Sequence, residues 1–200
     1  MTAASHSQIQ TVRGLQILYG CLCLVGIAST ALALFTPNWR ASYVNGIRTE
    51  QGLLSAPWPP GCGYPYITGS GSRTCTLGET IDNLVWVETH LELLALLGAA
   101  GILQIICFVT VVVSYRVTNA RIVRILLILA VMTIFVGILQ AIAIMFYALE
   151  NERFLPHGLT MSSFGWSFWI ACVALLINIA NTFIAAVASY RANNVYECYV

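Results

Sequence analysis

The sequence predicts an integral membrane protein, mainly α-helical: a left-handed four-helix transmembrane bundle with a small extracellular antiparallel β-sheet formed by its first loop. Three observations predict it. Hydrophobic residues make up 58% of the 200-residue chain and charged residues only 8%, whereas soluble domains are roughly a quarter charged. Four apolar stretches each reach the roughly 20 residues that a helix needs to cross about 30 Å of hydrocarbon. Between the first two stretches lies one long polar segment with strand and turn signals and two cysteines.

The chain opens with a polar segment, 1–14, whose basic residue is Arg13. The apolar run behind it exceeds a signal-peptide core and lacks a small-residue cleavage site, so it reads as a retained signal anchor. The spans are 15–35, 91–115, 125–149 and 165–190; the only acidic or basic side chain in them is Glu92, at the outer end of the second. Each must be helical, because lipid offers no water to unpaired backbone amides.

Every basic residue is an arginine, and their placement sets the orientation. Arg13, Arg116, Arg121, Arg124 and Arg191 flank one side with Glu197 as its acid. Arg40, Arg48, Arg73 and Arg153 flank the other, against Glu50, Glu79, Asp82, Glu88, Glu92, Glu150 and Glu152. The first side is therefore expected in the cytoplasm, with the tail 1–14, the loop 116–124 and the tail 191–200. The loops 36–90 and 150–164 are expected outside, and the formal net charge of +1 argues against a nucleic-acid partner.

The loop 36–90 is the one segment long enough to fold by itself. Ala41-Ser42-Tyr43-Val44 and Ile47-Arg48-Thr49 flank Asn45-Gly46, the dipeptide suited to a type I′ hairpin. Tyr64 to Ile67 and Arg73 to Leu77 flank a second turn, Gly69-Ser70-Gly71-Ser72. Of seven cysteines, Cys21, Cys23, Cys107 and Cys172 fall in spans and Cys198 in the tail. Cys62 and Cys75 are left on the oxidising side, nearly symmetric about Thr68-Gly69. A disulfide there would close about 14 residues and add about 3 kcal/mol; two free outer thiols are the other possibility.

Chemistry is absent elsewhere. The amides within the spans are Gln16, Gln104, Gln140, Asn178 and Asn181. Polar groups in a membrane can mark function, but uncharged amides more often tie helices together at about 0.6 kcal/mol each. Gly98-Ala99-Ala100-Gly101 and Gly137 to Ala141 offer small-residue faces for helix packing. Glu88 and Glu92 share a helical face that His90 does not, a poor geometry for one metal. Cys21 and Cys23 are not spaced as a redox pair. No phosphate-binding loop, nucleophile elbow or zinc-protease motif is present, so neither an enzyme nor a cofactor is expected.

The layout resembles the claudin family, within the superfamily of epithelial membrane proteins, peripheral myelin protein and the regulatory subunits of AMPA receptors and calcium channels. Trp39, Gly52-Leu53-Leu54, Cys62 and Cys75 are similar to its signature of Trp, Gly-Leu-Trp and paired Cys, and Phe164-Gly165-Trp166-Ser167 is similar to the opening of its fourth span. The chain departs from the pattern at Leu54, in the proline-rich stretch before Cys62, and in having no arginine between Cys75 and the second span. It resembles a divergent member. The resemblance implies that Trp39 and the Gly52-Leu53-Leu54 segment seat the sheet on the membrane surface. An ordinary Trp at the membrane interface is the other reading. Phe154-Leu155-Pro156 is similar to the tip that claudins present to an opposing cell; dipping into lipid is the alternative. Glu197-Cys198-Tyr199-Val200 resembles the family's Tyr-Val ending and fits a PDZ scaffold, which captures an apolar residue and the free carboxylate. Cys198 is a palmitoylation candidate or a plain thiol.

The resemblance implies a cell-junction protein that associates with same-family proteins in cis and in trans and forms or tunes a paracellular barrier or channel. An auxiliary subunit of an ion channel or receptor is the alternative. The Tyr-Val ending and the lack of an Asn-x-Ser/Thr acceptor outside favour the first.

Overall fold

The computed structural model describes residues 3–36, 38–44, 47–51, 53, 77–116, 121–153 and 163–197. Four helices dominate: α1 Ala3–Phe35, α2 Leu77–Ser114, α3 Arg121–Arg153 and α4 Trp166–Glu197. Within them Ile9–Phe35, Leu91–Ser114, Arg121–Leu149 and Trp166–Val195 are long and apolar enough to cross a membrane, as befits a multi-pass membrane protein. Helices α1 and α3 each pack against both α2 and α4, so chain order is also the order around the bundle.

The core positions are regularly spaced. In α1 they are Val12, Gln16, Tyr19, Cys23, Gly26, Thr30 and Ala33; in α2 they are Leu93, Leu97, Ala100, Gln104, Cys107, Val111 and Ser114. The steps alternate between four and three, and α3 (from Ile122 to Tyr147) and α4 (from Ala171 to Val195) keep the same alternation. This 3.5-residue spacing keeps one face of each helix turned toward its neighbours along its length.

What occupies those positions is inverted relative to a water-soluble bundle. Large aliphatic and aromatic side chains such as Leu24, Ile102, Val109, Phe135 and Phe183 are exposed, facing outward. Alanines and amides face inward, most clearly on α4, where Ala171, Ala174, Asn178, Asn181, Ala185, Ala188 and Ala192 succeed one another. Lipid tails are as apolar as leucine, so burying leucine stabilises little, whereas small residues let helices approach closely. Gly26 belongs to this set: a Cβ there would lie 3.3 Å from Gln104 Nε2 and 3.6 Å from Ile177. Of the glycines singled out in the sequence, Gly101 and Gly137 have one neighbour each, near 4 Å, and Gly98 has none.

At one end the helices carry a three-stranded sheet of β1 (Arg40–Val44), β2 (Ile47–Gln51) and β3 (Ser163–Phe164), ordered β2-β1-β3. Val44 pairs with Ile47 across residues 45 and 46, and Arg40 pairs with Phe164 on the other side. Here the structure differs from the expectation of a sheet formed by the first loop: β3 comes from the segment between α3 and α4. The helices also overrun the span limits. Residues 77–90 are the first turns of α2 rather than sheet or loop, α1 begins at Ala3, α3 runs from Arg121 to Arg153, and α4 continues to Glu197. Hydropathy registers only the stretch in hydrocarbon, whereas a helix keeps its internal hydrogen bonds after its side chains turn polar.

Candidate functional site

The sheet is fastened to the bundle by the short link between α1 and β1. Helix α1 ends at Phe35, where the Thr36 hydroxyl donates back to the Leu32 carbonyl and shares a second hydrogen bond with Ser167 Oγ. Two residues on, Asn38 is buried and caps the start of α4. Its carbonyl accepts from Ser167 N at 3.0 Å, and its side-chain Oδ1 accepts from Trp166 N at 3.3 Å. The first amides of a helix have no partner within it, and an asparagine oxygen is well suited to fill that role. Gly165 N then donates to the Trp39 carbonyl at 2.9 Å. The start of α4 and the end of α1 are thereby joined backbone to backbone.

Trp39 sits inside this joint with 1% of its surface exposed. Its indole Nε1 donates to the Ala33 carbonyl. Its ring meets Tyr147 edge-on at 5.0 Å between centroids and Phe168 at 6.2 Å, while Phe164 stacks on Phe168 at 4.3 Å. Leu53, Leu93, Leu97, Ala143 and Ala171 complete the cluster. Such edge-to-face and offset aromatic pairs add about 0.5–1.5 kcal/mol each beyond the area they bury. Trp39 is therefore a packed core residue with a satisfied N–H.

Deeper in the bundle, one polar residue from each helix meets near a single level. Gln140 Nε2 donates to Thr30 Oγ1 at 2.9 Å, across the bundle diagonal, and Asn178 Nδ2 donates to Gln140 Oε1 at 2.6 Å. Gln104 lies beside Gly26 with neither of its side-chain polar atoms hydrogen-bonded. This layer divides the core in two: the aromatic cluster toward the sheet, and an apolar cluster from Val12 to Ala192 toward the other end. There Gln16 donates to Ser114 at 3.2 Å, Asn181 to Cys23 Sγ at 3.5 Å, and the Arg13 guanidinium lies 5.9 Å from the Tyr115 ring centre.

Of the residues that the sequence singled out, the structure brings Trp39 and Leu53 together in one cluster, and links Gln140 to Asn178. Glu88 and His90 lie on α2, and Glu92, one turn further on, is exposed. Glu197 is the last residue of α4. Gly52, Leu54, Cys62, Cys75, Phe154, Pro156, Cys198, Tyr199 and Val200 lie outside the described residues. Sequence reasoning passed over Asn38, Tyr147 and Phe168. Their signal was the heptad spacing of Tyr147, which continues the inward face of α3, and an asparagine set just ahead of a tryptophan.

Compared with known proteins, the chain matches no protein-family model and no curated protein.

Proposed function

We propose that the protein is a claudin-like component of cell junctions, whose sheet end faces the extracellular space and associates with copies or relatives of itself in the same membrane and across the intercellular gap. The observation that carries this reading is the pairing of β1 with β3, which joins the described segments after α1 and before α4 into one platform. Strand β1 follows α1, β3 precedes α4, and the pair is seated on the bundle through Trp39, Leu53 and Gly165. A platform held this way keeps a fixed orientation to the membrane, as lateral and trans association both require. Its mechanism is steric closure and charge selection in the gap, without covalent chemistry.

On this reading Cys62 and Cys75 form a disulfide. Phe154 and Pro156 form the tip that meets the opposing cell. The chain ends in the cytoplasm with Glu197-Cys198-Tyr199-Val200 bound to a PDZ scaffold, and Cys198 is the site open to acylation. The arginines at the other end of the bundle support that orientation.

Localisation tests the reading. A tagged protein expressed in an epithelial layer should form a continuous ring at cell contacts and raise or alter transepithelial resistance. Uniform surface staining, with co-purification of an ion channel at fixed stoichiometry, would replace it by the auxiliary-subunit role.

A further inference from the structure

The buried polar atoms without a hydrogen-bond partner are unevenly distributed. Among the described residues they are Gln16 Oε1, the Tyr19 hydroxyl, Asn181 Oδ1 and both polar atoms of Gln104. All belong to the half of the core between Gln104 and the arginine-bearing end; none belongs to the aromatic cluster under the sheet. They also follow one another. Gln16 is one turn of α1 from exposed Arg13; Tyr19 is the next core position, and the weakly hydrogen-bonding Cys23 and Cys107 thiols lie beside its hydroxyl. Asn181 meets Cys23, and Gln104 lies against Gly26. From Gln16 to Gly26 the rise is about 15 Å, half the hydrocarbon thickness.

We propose that this row of groups is a blind, water-binding seam, which admits water from the arginine-bearing end as far as Gln104 and is closed there by the Thr30, Gln140 and Asn178 layer and the aromatic cluster beyond it. A buried amide or hydroxyl without a partner is costly in any apolar medium and more so in lipid, where the surroundings supply none. Internal waters characteristically bind about three otherwise unsatisfied polar groups each, and successive residues of the row offer donors and acceptors in turn. The seam runs between α1, α2 and α4, because α3 presents Leu126, Leu129, Val136 and Thr133, whose hydroxyl is bonded back to the Leu129 and Ala130 carbonyls of its own helix.

The chain carries its own reporters. Cys23 and Cys107 line the seam and are buried, Cys21 faces outward two residues from Cys23, and Cys172 packs against the aromatic cluster. The full-length protein in lipid nanodiscs, where both faces meet solution, would be exposed to silver ions, which travel through water and displace the proton of a thiol to form a silver thiolate. Unreacted cysteines would then be alkylated after unfolding and counted by peptide mass spectrometry. Cys23 and Cys107 should be capped faster than Cys21 and Cys172 by an order of magnitude or more, since a bare ion is excluded from hydrocarbon. Equal protection of Cys23, Cys107 and Cys172, or capping of Cys21 as fast as Cys23, would overturn the seam.

Discussion

Gly165 and Asn38 touch so closely that only a residue without a side chain fits: a Cβ at 165 would lie 2.0 Å from the Asn38 carbonyl oxygen and 2.1 Å from its Oδ1. Both oxygens are fixed by the amides of Ser167 and Trp166. Gly165→Ala must therefore push the α1–β1 link off the start of α4, breaking hydrogen bonds worth about 1 kcal/mol each along with some aromatic packing. The expected loss is about 3 kcal/mol. Thermal unfolding in detergent, followed by the fluorescence of the tryptophans, should show a lower midpoint, and less protein should reach the cell surface. A wild-type midpoint would mean that this joint does not hold the two helices.

Trp39→Phe separates the indole's hydrogen bond from its bulk. The smaller ring still faces Tyr147 and Phe168, but the Ala33 carbonyl loses its donor and a small void opens, a cost of about 2 kcal/mol. Trp39→Ala should cost about 4 kcal/mol. If the residue only anchored the chain at the membrane surface, phenylalanine would serve nearly as well and the two variants would differ little in unfolding temperature.

The diagonal layer invites a double-mutant cycle. Gln140→Leu leaves Thr30 and Asn178 without the amide they share, and Asn178→Leu leaves Gln140 Oε1 without its donor. Each should destabilise the bundle by about 1 kcal/mol in lipid. The double variant should cost less than the two combined, because both remove the same bond. Strict additivity in unfolding measurements would show that the two amides are not coupled.

Much of this arrangement is visible in the sequence, and what is hidden is hidden for a physical reason. The four spans can be read because hydrocarbon demands uninterrupted apolar residues, and Leu91–Ser114 stands within a residue of the stretch that hydropathy marks. The inward faces are harder to see. In water an apolar stripe among polar residues reveals the core, but here many Leu and Ile point outward, and the core at steps of three and four mixes Ala, Gly, Asn and Gln with Leu and Val. Gln104, Gln140, Asn178 and Asn181 attract notice as polar residues, yet only the heptad spacing shows that they face one another. Strand β3 has two residues, too short for any periodicity, and its place beside β1 depends on Gly165 and Asn38, which are distant in sequence.

The proposed scaffold contact predicts a separable defect. Deleting Tyr199 and Val200 should abolish capture by a PDZ domain, because the groove reads the terminal apolar side chain and carboxylate together. Unfolding temperature and membrane insertion should not change, since the groove reads only these last residues and the four spans are left whole. A pull-down with and without the final two residues decides it, and undiminished capture would remove the scaffold from the proposed function.

Glycine content alone does not identify the helix interface, and a paired substitution makes the point measurable. Gly98 and Gly101 look like a packing motif, yet a Cβ at Gly98 meets nothing within 4 Å. Gly98→Ala should leave the bundle intact and gain up to about 1 kcal/mol from helix propensity. Gly26 attracts no notice in the sequence, but it is buried between α1, α2 and α4, with Gln104, Ile177 and Asn178 all within 4 Å of its missing Cβ. Gly26→Val has to displace Ile177 as well as the Gln104 amide and so force α1 from α4, at an overpacking cost of about 1–3 kcal/mol. The two variants should thus shift the unfolding midpoint in opposite directions, Gly98→Ala upward or not at all and Gly26→Val downward. The reverse order would mean that α1 meets its neighbours on a different face.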